Sequence, residues 1–162
     1  MGVVAERLVQ TRIIGKSNPQ QSFHPTDATA GGTHTSPSFR LRILIVEDET
    51  CIAMQLEDMV QNLGHEVVGS AASYTQAVAS AETSRPDLAL MDINLDRGGD
   101  GIEAALELRQ RFNVPSVFVS AYVSLPNIRE RTQVAQPLGF VPKPYTQREI
   151  EAALKQAADQ LP

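Results

Sequence analysis

Short apolar runs and amphipathic stretches begin to alternate at residue 40 and continue almost to the end of the chain. A short apolar run rich in β-branched residues is typical of a buried strand, and apolar residues three or four positions apart are typical of a helix that packs on a core. The runs predict five strands, at 41–46, 65–71, 87–92, 116–121 and from 139 onward. The amphipathic stretches predict five helices, at 50–63, 74–84, 102–112, 126–135 and 146–160.

Residues at the predicted helix ends agree with these boundaries. Gly64 follows the first helix, and glycine commonly ends helices because it adopts a left-handed backbone without strain. Ser73 precedes the second helix, where its hydroxyl can accept a hydrogen bond from the first turn. Pro86 follows the second helix, and the residue before a proline avoids the helical conformation.

The regular alternation of strand and helix predicts the fold class. Strands that are buried on both sides and separated by helices form a parallel sheet with helices on both faces. Because crossover connections are right-handed, five such units predict a doubly wound α/β fold with the flavodoxin-like strand order 2-1-3-4-5. Ligands bind such sheets at the carboxyl ends of the strands, near the point between the first and third strands where the order reverses.

Residues 1–39 lack this pattern. The segment 17–39 has no Leu, Ile or Val and is rich in Ser, Thr, Pro and Gly, so it buries too little apolar surface to offset the entropy cost of ordering. We therefore predict a flexible N-terminal arm over 1–39 and one folded domain over 40–162. Residues 3–14 are compatible with a short helix or a strand, and the sequence does not decide between them.

Charge and composition argue against several classes of function. The net charge is −5, and because only four basic and two acidic residues fall within 1–40, the rest has ten basic and 17 acidic residues and would repel nucleic acid. No apolar run reaches the roughly 18 residues of a membrane span, and the N-terminus does not resemble a signal peptide. The single cysteine, Cys51, cannot form a disulfide within the chain, which fits a cytoplasmic protein.

Polar and charged residues stand at the carboxyl ends of four of the five predicted strands. They are Glu47 and Asp48, Asp92, Ser120 and Lys143. Like-charged carboxylates repel at close range, and a hard cation that keeps several waters, such as Mg²⁺, relieves that repulsion. A carboxylate beside a metal ion, an ammonium and a hydroxyl group suits phosphoryl transfer. An acidic pair or a lone lysine is usually a solvated surface feature, but the joint arrangement at four strand ends favours a site.

The chain also resembles a known family. The segments LRILIVEDE, LALMDINL, VFVSA and FVPKPY look like the four signature segments of response-regulator receiver domains, in the same order and over residues 41–160. The resemblance implies that Asp92 is the phosphoacceptor and that Lys143 and Ser120 contact the phosphoryl group. It implies a conformational switch that consists of Ser120 and Phe140. The ligands that it implies for Mg²⁺ are Glu47 through a water, Asp48, Asp92 and the backbone carbonyl of Asn94.

The chain departs from the family in one segment and matches it in others. The segment NLDRGGDG lacks a proline that the family commonly has soon after the acceptor and is one residue longer, so we expect a more mobile loop there. Pro142 removes a hydrogen-bond donor from the fifth strand, which an edge strand tolerates. The Lys143-Pro144 bond resembles one that is cis in the family. The segment PSVFVSAY resembles the PFxFATGY signature of a group of single-domain alphaproteobacterial receivers, with matches at Pro115, Phe118 and Tyr122.

For several residues, a purely structural role is an alternative to a role in signalling. Phe140 is equally compatible with a core position, because aromatic residues near strand ends are usually buried. Tyr122 is expected to be exposed near the site. Arg129 and Arg131 on the fourth predicted helix are interpreted as a solvated face, with part of a partner-binding surface as the alternative.

These inferences predict a single-domain response regulator of a two-component system or phosphorelay. A sensor histidine kinase or phosphotransfer protein would phosphorylate Asp92 with Mg²⁺ and no organic cofactor, and an unknown downstream protein would bind the altered domain. We expect protein contact without an output domain and no enzymatic turnover beyond slow self-dephosphorylation. Two alternatives stay open. One is an aspartyl-phosphate phosphohydrolase, disfavoured because Asn94 stands where such enzymes have a second acid, and the other is a receiver-fold binding module that is never phosphorylated.

Overall fold

The computed structural model describes residues 40–95 and 99–161, so the predicted N-terminal arm and the centre of the NLDRGGDG segment lie outside the described residues. In the described ranges the chain has seven strands and five α-helices. The strands are β1 Arg42–Val46, β2 Glu66–Ala71, β3 Leu88–Met91, β4 Asn94–Leu95, β5 Gly99–Asp100, β6 Ser116–Ser120 and β7 Gly139–Pro142. The helices are α1 Thr50–Asn62, α2 Tyr74–Ser84, α3 Gly101–Phe112, α4 Pro126–Thr132 and α5 Gln147–Ala158, with a 3₁₀ turn at Gln133–Ala135.

Five of the strands form one parallel sheet in the order β2-β1-β3-β6-β7. Numbered among themselves, these five strands have the order 2-1-3-4-5, so the predicted doubly wound α/β fold is confirmed. The strand β7 lies at an edge of the sheet, which is where Pro142 at its last position is tolerated. Because β1 and β3 are neighbouring parallel strands, their carboxyl ends lie side by side, at the point where the strand order reverses.

Two apolar layers cover the two faces of the sheet. The helices α1 and α5 cover one face, where Leu56 and Leu154 are fully buried. The helices α2 and α3 cover the other face, where Leu108 and Phe118 are fully buried. Every residue of β3 and β6 is buried, but most of β2 and of β7 is half-buried or exposed, so the prediction of strands buried on both sides is wrong for these two edge strands. The reason is that an edge strand has a neighbouring strand on one side only.

The observed helix ends follow the residues that predicted them. Gly64 has a φ of 85° after α1, and Arg85 ends α2 with a φ of 47° directly before Pro86. The Ser73 hydroxyl accepts a hydrogen bond from the Gln76 N–H at 3.3 Å, which caps α2 as predicted. The fourth helix is shorter than predicted, because a 3₁₀ turn replaces its last residues. None of the helices in the described part of the chain is long and apolar enough to cross a membrane.

The chain after β3 is a hairpin where the sequence predicted a mobile loop. The strand β4 pairs antiparallel with β5, with Asn94 opposite Asp100 and Leu95 opposite Gly99. The Leu95 side chain is buried in the core and anchors the hairpin to the domain. Residues 96–98 lie outside the described ranges, and the mobility expected for this segment stays a prediction.

Candidate functional site

The carboxyl ends of β1 and β3 bring two buried carboxylates together. Glu47 directly follows β1, and its backbone N–H donates to the carbonyl oxygen of Ala71 in β2 at 2.9 Å. Asp92 directly follows β3, and its N–H donates to the carbonyl oxygen of Val46 at 2.8 Å. These bonds extend the sheet past its last strand residues and hold the backbone of both acids. Only 2% of Glu47 and 7% of Asp92 are exposed.

Lys143 lies between these two carboxylates. Its Nζ is 2.6 Å from Glu47 Oε2 and 2.6 Å from Asp92 Oδ2. Its backbone N–H donates to the carbonyl oxygen of Ser120 at 3.2 Å, which connects it to the end of β6. The Lys143-Pro144 peptide bond is cis, as the resemblance implied. One ammonium group therefore donates charge-assisted hydrogen bonds to two acids in a site that is largely shielded from water.

Burial and the shared ammonium group shift the pKa values of the site. Burial raises the pKa of Glu47 above its ordinary value, and the hydrogen bond from Lys143 offsets only part of that effect. Burial lowers the pKa of Lys143, but the hydrogen bonds to Asp92 and Glu47 outweigh it, so the pKa is raised. The two directions are compatible because Lys143 has two anionic partners, whereas Glu47 shares its cationic partner with Asp92. Lys143 is therefore an ammonium group at neutral pH.

Asp48 completes a cluster of three acids. One carboxylate oxygen from each of Glu47, Asp48 and Asp92 lies within 4.8 Å of the other two. Asp48 is half-buried, so the cluster is open to water on its side. Three carboxylates around one ammonium leave an excess of negative charge, and oxygen ligands with room for water are the set that Mg²⁺ prefers. The acids that the sequence predicted as metal ligands therefore lie together and fit a hard divalent cation.

Asn94 lies beside the same cluster. Its backbone N–H donates to Asp92 Oδ1 at 3.2 Å, and the residue is exposed. Asp92 thus has one carboxylate oxygen directed to the Asn94 backbone and the other directed to Lys143. The position of Asn94 is compatible with the predicted role of its carbonyl as a metal ligand.

The strands β6 and β7 carry the two residues that were predicted to form a switch. Ser120 is buried, and its Oγ accepts a long hydrogen bond from the Tyr122 N–H at 3.5 Å. Phe140 is half-buried, and its ring stacks on Phe118 with 6.0 Å between the ring centroids. The Arg129 guanidinium lies 4.9 Å from the centroid of the Phe140 ring. Phe140 therefore packs between the core and α4, and Tyr122 is exposed, as predicted.

The two arginines of α4 are exposed, as the predicted solvated face requires, but each also contacts a distant segment. Arg129 contacts Phe140, and its Nε also donates to the carbonyl oxygen of Val123 at 3.1 Å. Arg131 forms an ion pair with Asp100, which lies 31 positions earlier in the chain. A polar helix surface carries no local signal for such contacts, because the partners come from distant segments.

Two further residues close to the acids were not predicted from the sequence. A Cβ atom at Gly101 would lie 1.8 Å from the carbonyl oxygen of Asp92, so only glycine fits where α3 begins. The Asp100-Gly101 pair before an amphipathic stretch was the available signal. Tyr145 has a buried hydroxyl with no hydrogen-bond partner among the described residues, and burial raises its pKa to about 12. Its position directly after Lys143-Pro144 was the only clue to a place near the site.

Comparisons with known proteins identify the family. Residues 43–155 match the family model described as the response regulator receiver domain. The phyllosphere-induced regulator PhyR of Methylorubrum extorquens is 39% identical over 127 residues, which cover 78% of this chain and 46% of PhyR. The receiver domain of Erythrobacter litoralis PhyR, solved by NMR, is 36% identical with a TM-score of 0.65, and the match covers 75% of this chain and 92% of that one.

A third relative has a longer chain. A crystal structure described as anti-anti-sigma factor PhyR from Bartonella quintana has a TM-score of 0.64 at 31% identity, and the match covers 77% of this chain and 50% of that one. The chain spans about half the length of the curated relatives it matches. With the five-stranded parallel sheet and the acidic cluster at its carboxyl edge, these matches show that the chain belongs to the response regulator receiver domain family.

Proposed function

We propose that this receiver domain accepts a phosphoryl group on Asp92. The proposal rests above all on the 2.6 Å contact between Lys143 Nζ and Asp92 Oδ2 at the end of the central strand β3. In the transfer, a carboxylate oxygen of Asp92 attacks phosphorus, and the bond from phosphorus to the donor breaks with its electron pair leaving on the donor. The ammonium group of Lys143 is positioned to neutralise the phosphoryl charge on the resulting acyl phosphate.

Mg²⁺ is the proposed cofactor. Its ligands would be Asp48, Asp92, the backbone carbonyl of Asn94 and, through a water, Glu47. When bound, the ion neutralises charge on the phosphoryl oxygens. Asp48 is the most open of the three acids, so it would face the water through which the ion enters. Lys143 already reaches both Glu47 and Asp92, so a small rotation of its side chain brings it onto a phosphoryl oxygen.

Ser120 and Phe140 are proposed to pass the signal to α4. The Ser120 hydroxyl would donate a hydrogen bond to a phosphoryl oxygen, and this bond exists only after phosphorylation. Its present bond from the Tyr122 N–H is long at 3.5 Å, so little is lost when the hydroxyl turns. Because the Phe140 ring contacts both Phe118 in the core and Arg129 on α4, a displacement of the ring would displace α4.

The proposed partners are proteins. A sensor histidine kinase or a phosphotransfer protein would donate the phosphoryl group in a bacterial cytoplasm, and a downstream protein would bind the phosphorylated domain. One relative is described as an anti-anti-sigma factor, which makes an anti-sigma factor one candidate for that partner. The acidic character of residues 41–162 disfavours nucleic acid as the target. Turnover would be limited to slow self-dephosphorylation.

Two alternative functions have less support. A phosphohydrolase of the aspartyl type needs a second acid two positions after the nucleophile, and Asn94 occupies that position. A binding module that is never phosphorylated would not need three acids and a lysine in one cluster, since collecting like charges costs stability.

The test is incubation of the full chain with acetyl phosphate and Mg²⁺, followed by intact mass measurement. The wild type should gain one phosphoryl group, and Asp92→Asn should gain none because an amide is a poor nucleophile. Asp58→Asn is the matched control, since Asp58 is an exposed acid in the third turn of α1. Equal labelling of Asp92→Asn and wild type would refute the assignment. Repeated turnover of a phosphomonoester would favour the phosphohydrolase.

A further inference from the structure

We propose that the ion pair between Asp100 and Arg131 is a latch that holds α4 against the loop after Asp92 in the unmodified domain, and that releasing it eases phosphorylation. The inference rests on the proposed phosphorylation of Asp92 and deepens it. It names a second connection between the site and α4, separate from the one through Ser120 and Phe140.

The Asp100 carboxylate joins three segments of the chain. Its Oδ1 accepts a hydrogen bond from the Ile102 N–H at 2.9 Å and so caps α3. Its Oδ2 accepts a hydrogen bond from the Arg131 guanidinium of α4. In the hairpin, Asp100 is paired with Asn94. One side chain therefore connects the hairpin, the first turn of α3 and α4.

The segment that contains Asp100 lies directly against Asp92. The backbone of Gly101 approaches Asp92 so closely that an added Cβ would lie 1.8 Å from its carbonyl oxygen. Asn94, which pairs with Asp100, donates its backbone N–H to Asp92 Oδ1 at 3.2 Å. Phosphorylation converts the Asp92 carboxylate into an acyl phosphate, in which the negative charge lies on the phosphoryl oxygens and the remaining carboxyl oxygen is an uncharged carbonyl, so the Asn94 N–H loses the charge assistance of its hydrogen bond. One contact between the hairpin and the site is therefore weakened, and Asp100 is part of that hairpin.

The helix α4 is held by few other contacts. It has seven residues, and Thr132 is its only buried residue. Its N-cap residue, Leu125, makes no side-chain capping bond. Ile128 packs partly buried against the core, Arg129 reaches Val123 and Phe140, and Arg131 reaches Asp100. A short helix with little buried surface moves at low cost, so the loss of one ion pair has a measurable effect on its position.

The size of the effect follows from the exposure of the pair. The side chains of Arg131 and Asp100 are 55% and 28% exposed, so the pair is screened by solvent. An interaction that is present only while α4 is held against the hairpin shifts the equilibrium between held and released α4 by the free energy of that interaction. For an exposed ion pair this corresponds to a change of roughly two- to fivefold in the population ratio.

The test uses four variants of the full chain. Asp100→Asn removes the charge but keeps an oxygen that can accept from the Ile102 N–H, so the cap of α3 is retained. Arg131→Gln removes the other charge, and Arg131→Lys keeps it as the rescue variant. Arg148→Gln is the matched control, because Arg148 is an exposed arginine on α5 for which residues 40–95 and 99–161 provide no ion-pair partner.

The first measurement is amide hydrogen exchange of the unmodified protein. Exchange in residues 126–132 should become roughly two- to fivefold faster in Asp100→Asn and Arg131→Gln and stay near wild type in Arg131→Lys and Arg148→Gln. Exchange in α5 should not change, which separates the latch from a general loss of stability. This measurement needs no phosphoryl transfer, so it tests whether the ion pair holds α4 even if Asp92 is not phosphorylated. Unchanged exchange in 126–132 would overturn the latch.

The second measurement is the rate of labelling by acetyl phosphate with Mg²⁺. The two variants that break the pair should be labelled roughly two- to fivefold faster than wild type and the control. Faster exchange in α4 with an unchanged labelling rate would show that the pair only supports the helix, and would overturn its connection to phosphorylation. Absence of labelling in the wild type would overturn both the proposed phosphorylation of Asp92 and the link between the ion pair and phosphorylation. The exchange measurement would still show whether the ion pair holds α4.

Discussion

The substitution Gly101→Ala adds one methyl group where α3 begins against Asp92. The new Cβ would lie 1.8 Å from the Asp92 carbonyl oxygen, 2.9 Å from its carbonyl carbon and 3.0 Å from Ile93 Cα. All three are backbone atoms, so no side-chain rotation relieves the overlap. Either α3 or the segment after β3 must move by more than 1 Å, because real Cβ atoms essentially never approach within 3.0 Å of another atom.

Opposing effects set the magnitude of this change. Alanine stabilises a helix by up to about 1 kcal/mol relative to glycine, partly because it reduces the entropy of the unfolded chain. Overpacking costs roughly 1–3 kcal/mol, and the upper end applies where the atoms in the way are backbone. Displacement also strains the 2.9 Å hydrogen bond from the Gly101 N–H to the Ile93 carbonyl oxygen, which contributes about 1 kcal/mol. The expected net loss in free energy of unfolding is about 2–3 kcal/mol.

Urea unfolding of three glycine variants measures this loss with internal controls. A Cβ at Gly139 would meet Val117 Cγ2 at 3.7 Å, an ordinary contact, so Gly139→Ala should stay within about 0.5 kcal/mol of wild type. A Cβ at Gly69 would meet Leu44 Cδ1 at 3.2 Å, and this flexible side chain can move, so Gly69→Ala should fall between the other two. If Gly101→Ala is as stable as Gly139→Ala, then α3 separates from Asp92 at no cost, and the close approach does not restrict this position to glycine.

Four further predictions concern the site and the domain boundary. Tyr145→Phe should raise the free energy of unfolding by up to about 1 kcal/mol at neutral pH, since it removes a buried hydroxyl that has no hydrogen-bond partner among the described residues. The pKa of Tyr145 is raised from 10.0 to about 12, so the protonated hydroxyl is favoured in the folded state. In urea unfolding, wild type should therefore lose stability relative to Tyr145→Phe as the pH rises from 10.0 to about 12. Asp48→Ala should weaken Mg²⁺ binding by about tenfold or more in titration calorimetry, and an unchanged affinity would mean that the ion binds elsewhere. Ser120→Ala should still be phosphorylated while the amide shift changes in 124–145 shrink, and shifts equal to wild type would exclude it as the coupling residue. A chain that begins at Ser38 should fold and be labelled at the wild-type rate, and failure of either would place the boundary earlier.

The order of the elements and the position of the site could be predicted because both depend on local pattern. Apolar runs and helical periodicity are properties of neighbouring residues, and a chain that alternates between them forms a parallel sheet with few allowed orders. The carboxyl ends of parallel strands meet at one edge whatever the side-chain details are. The acids and the lysine of the site stand one or two positions after a strand, so they gather at that edge once the sheet order is known: Glu47, Asp48, Asp92 and Lys143. The roles predicted for them rest on the resemblance and stay predictions.

Contacts between distant segments were decided only by the tertiary structure. A long arginine side chain can reach several partners, and the sequence around Arg131 does not indicate that Asp100 lies within reach. The close approach of Gly101 to Asp92 depends on how α3 is seated against the end of β3. The pairing of the residues after Asp92 into a hairpin depends on the burial of Leu95 in the core. Composition and periodicity determined which elements form and in which order, whereas these contacts depend on distances that exist only after the elements have packed.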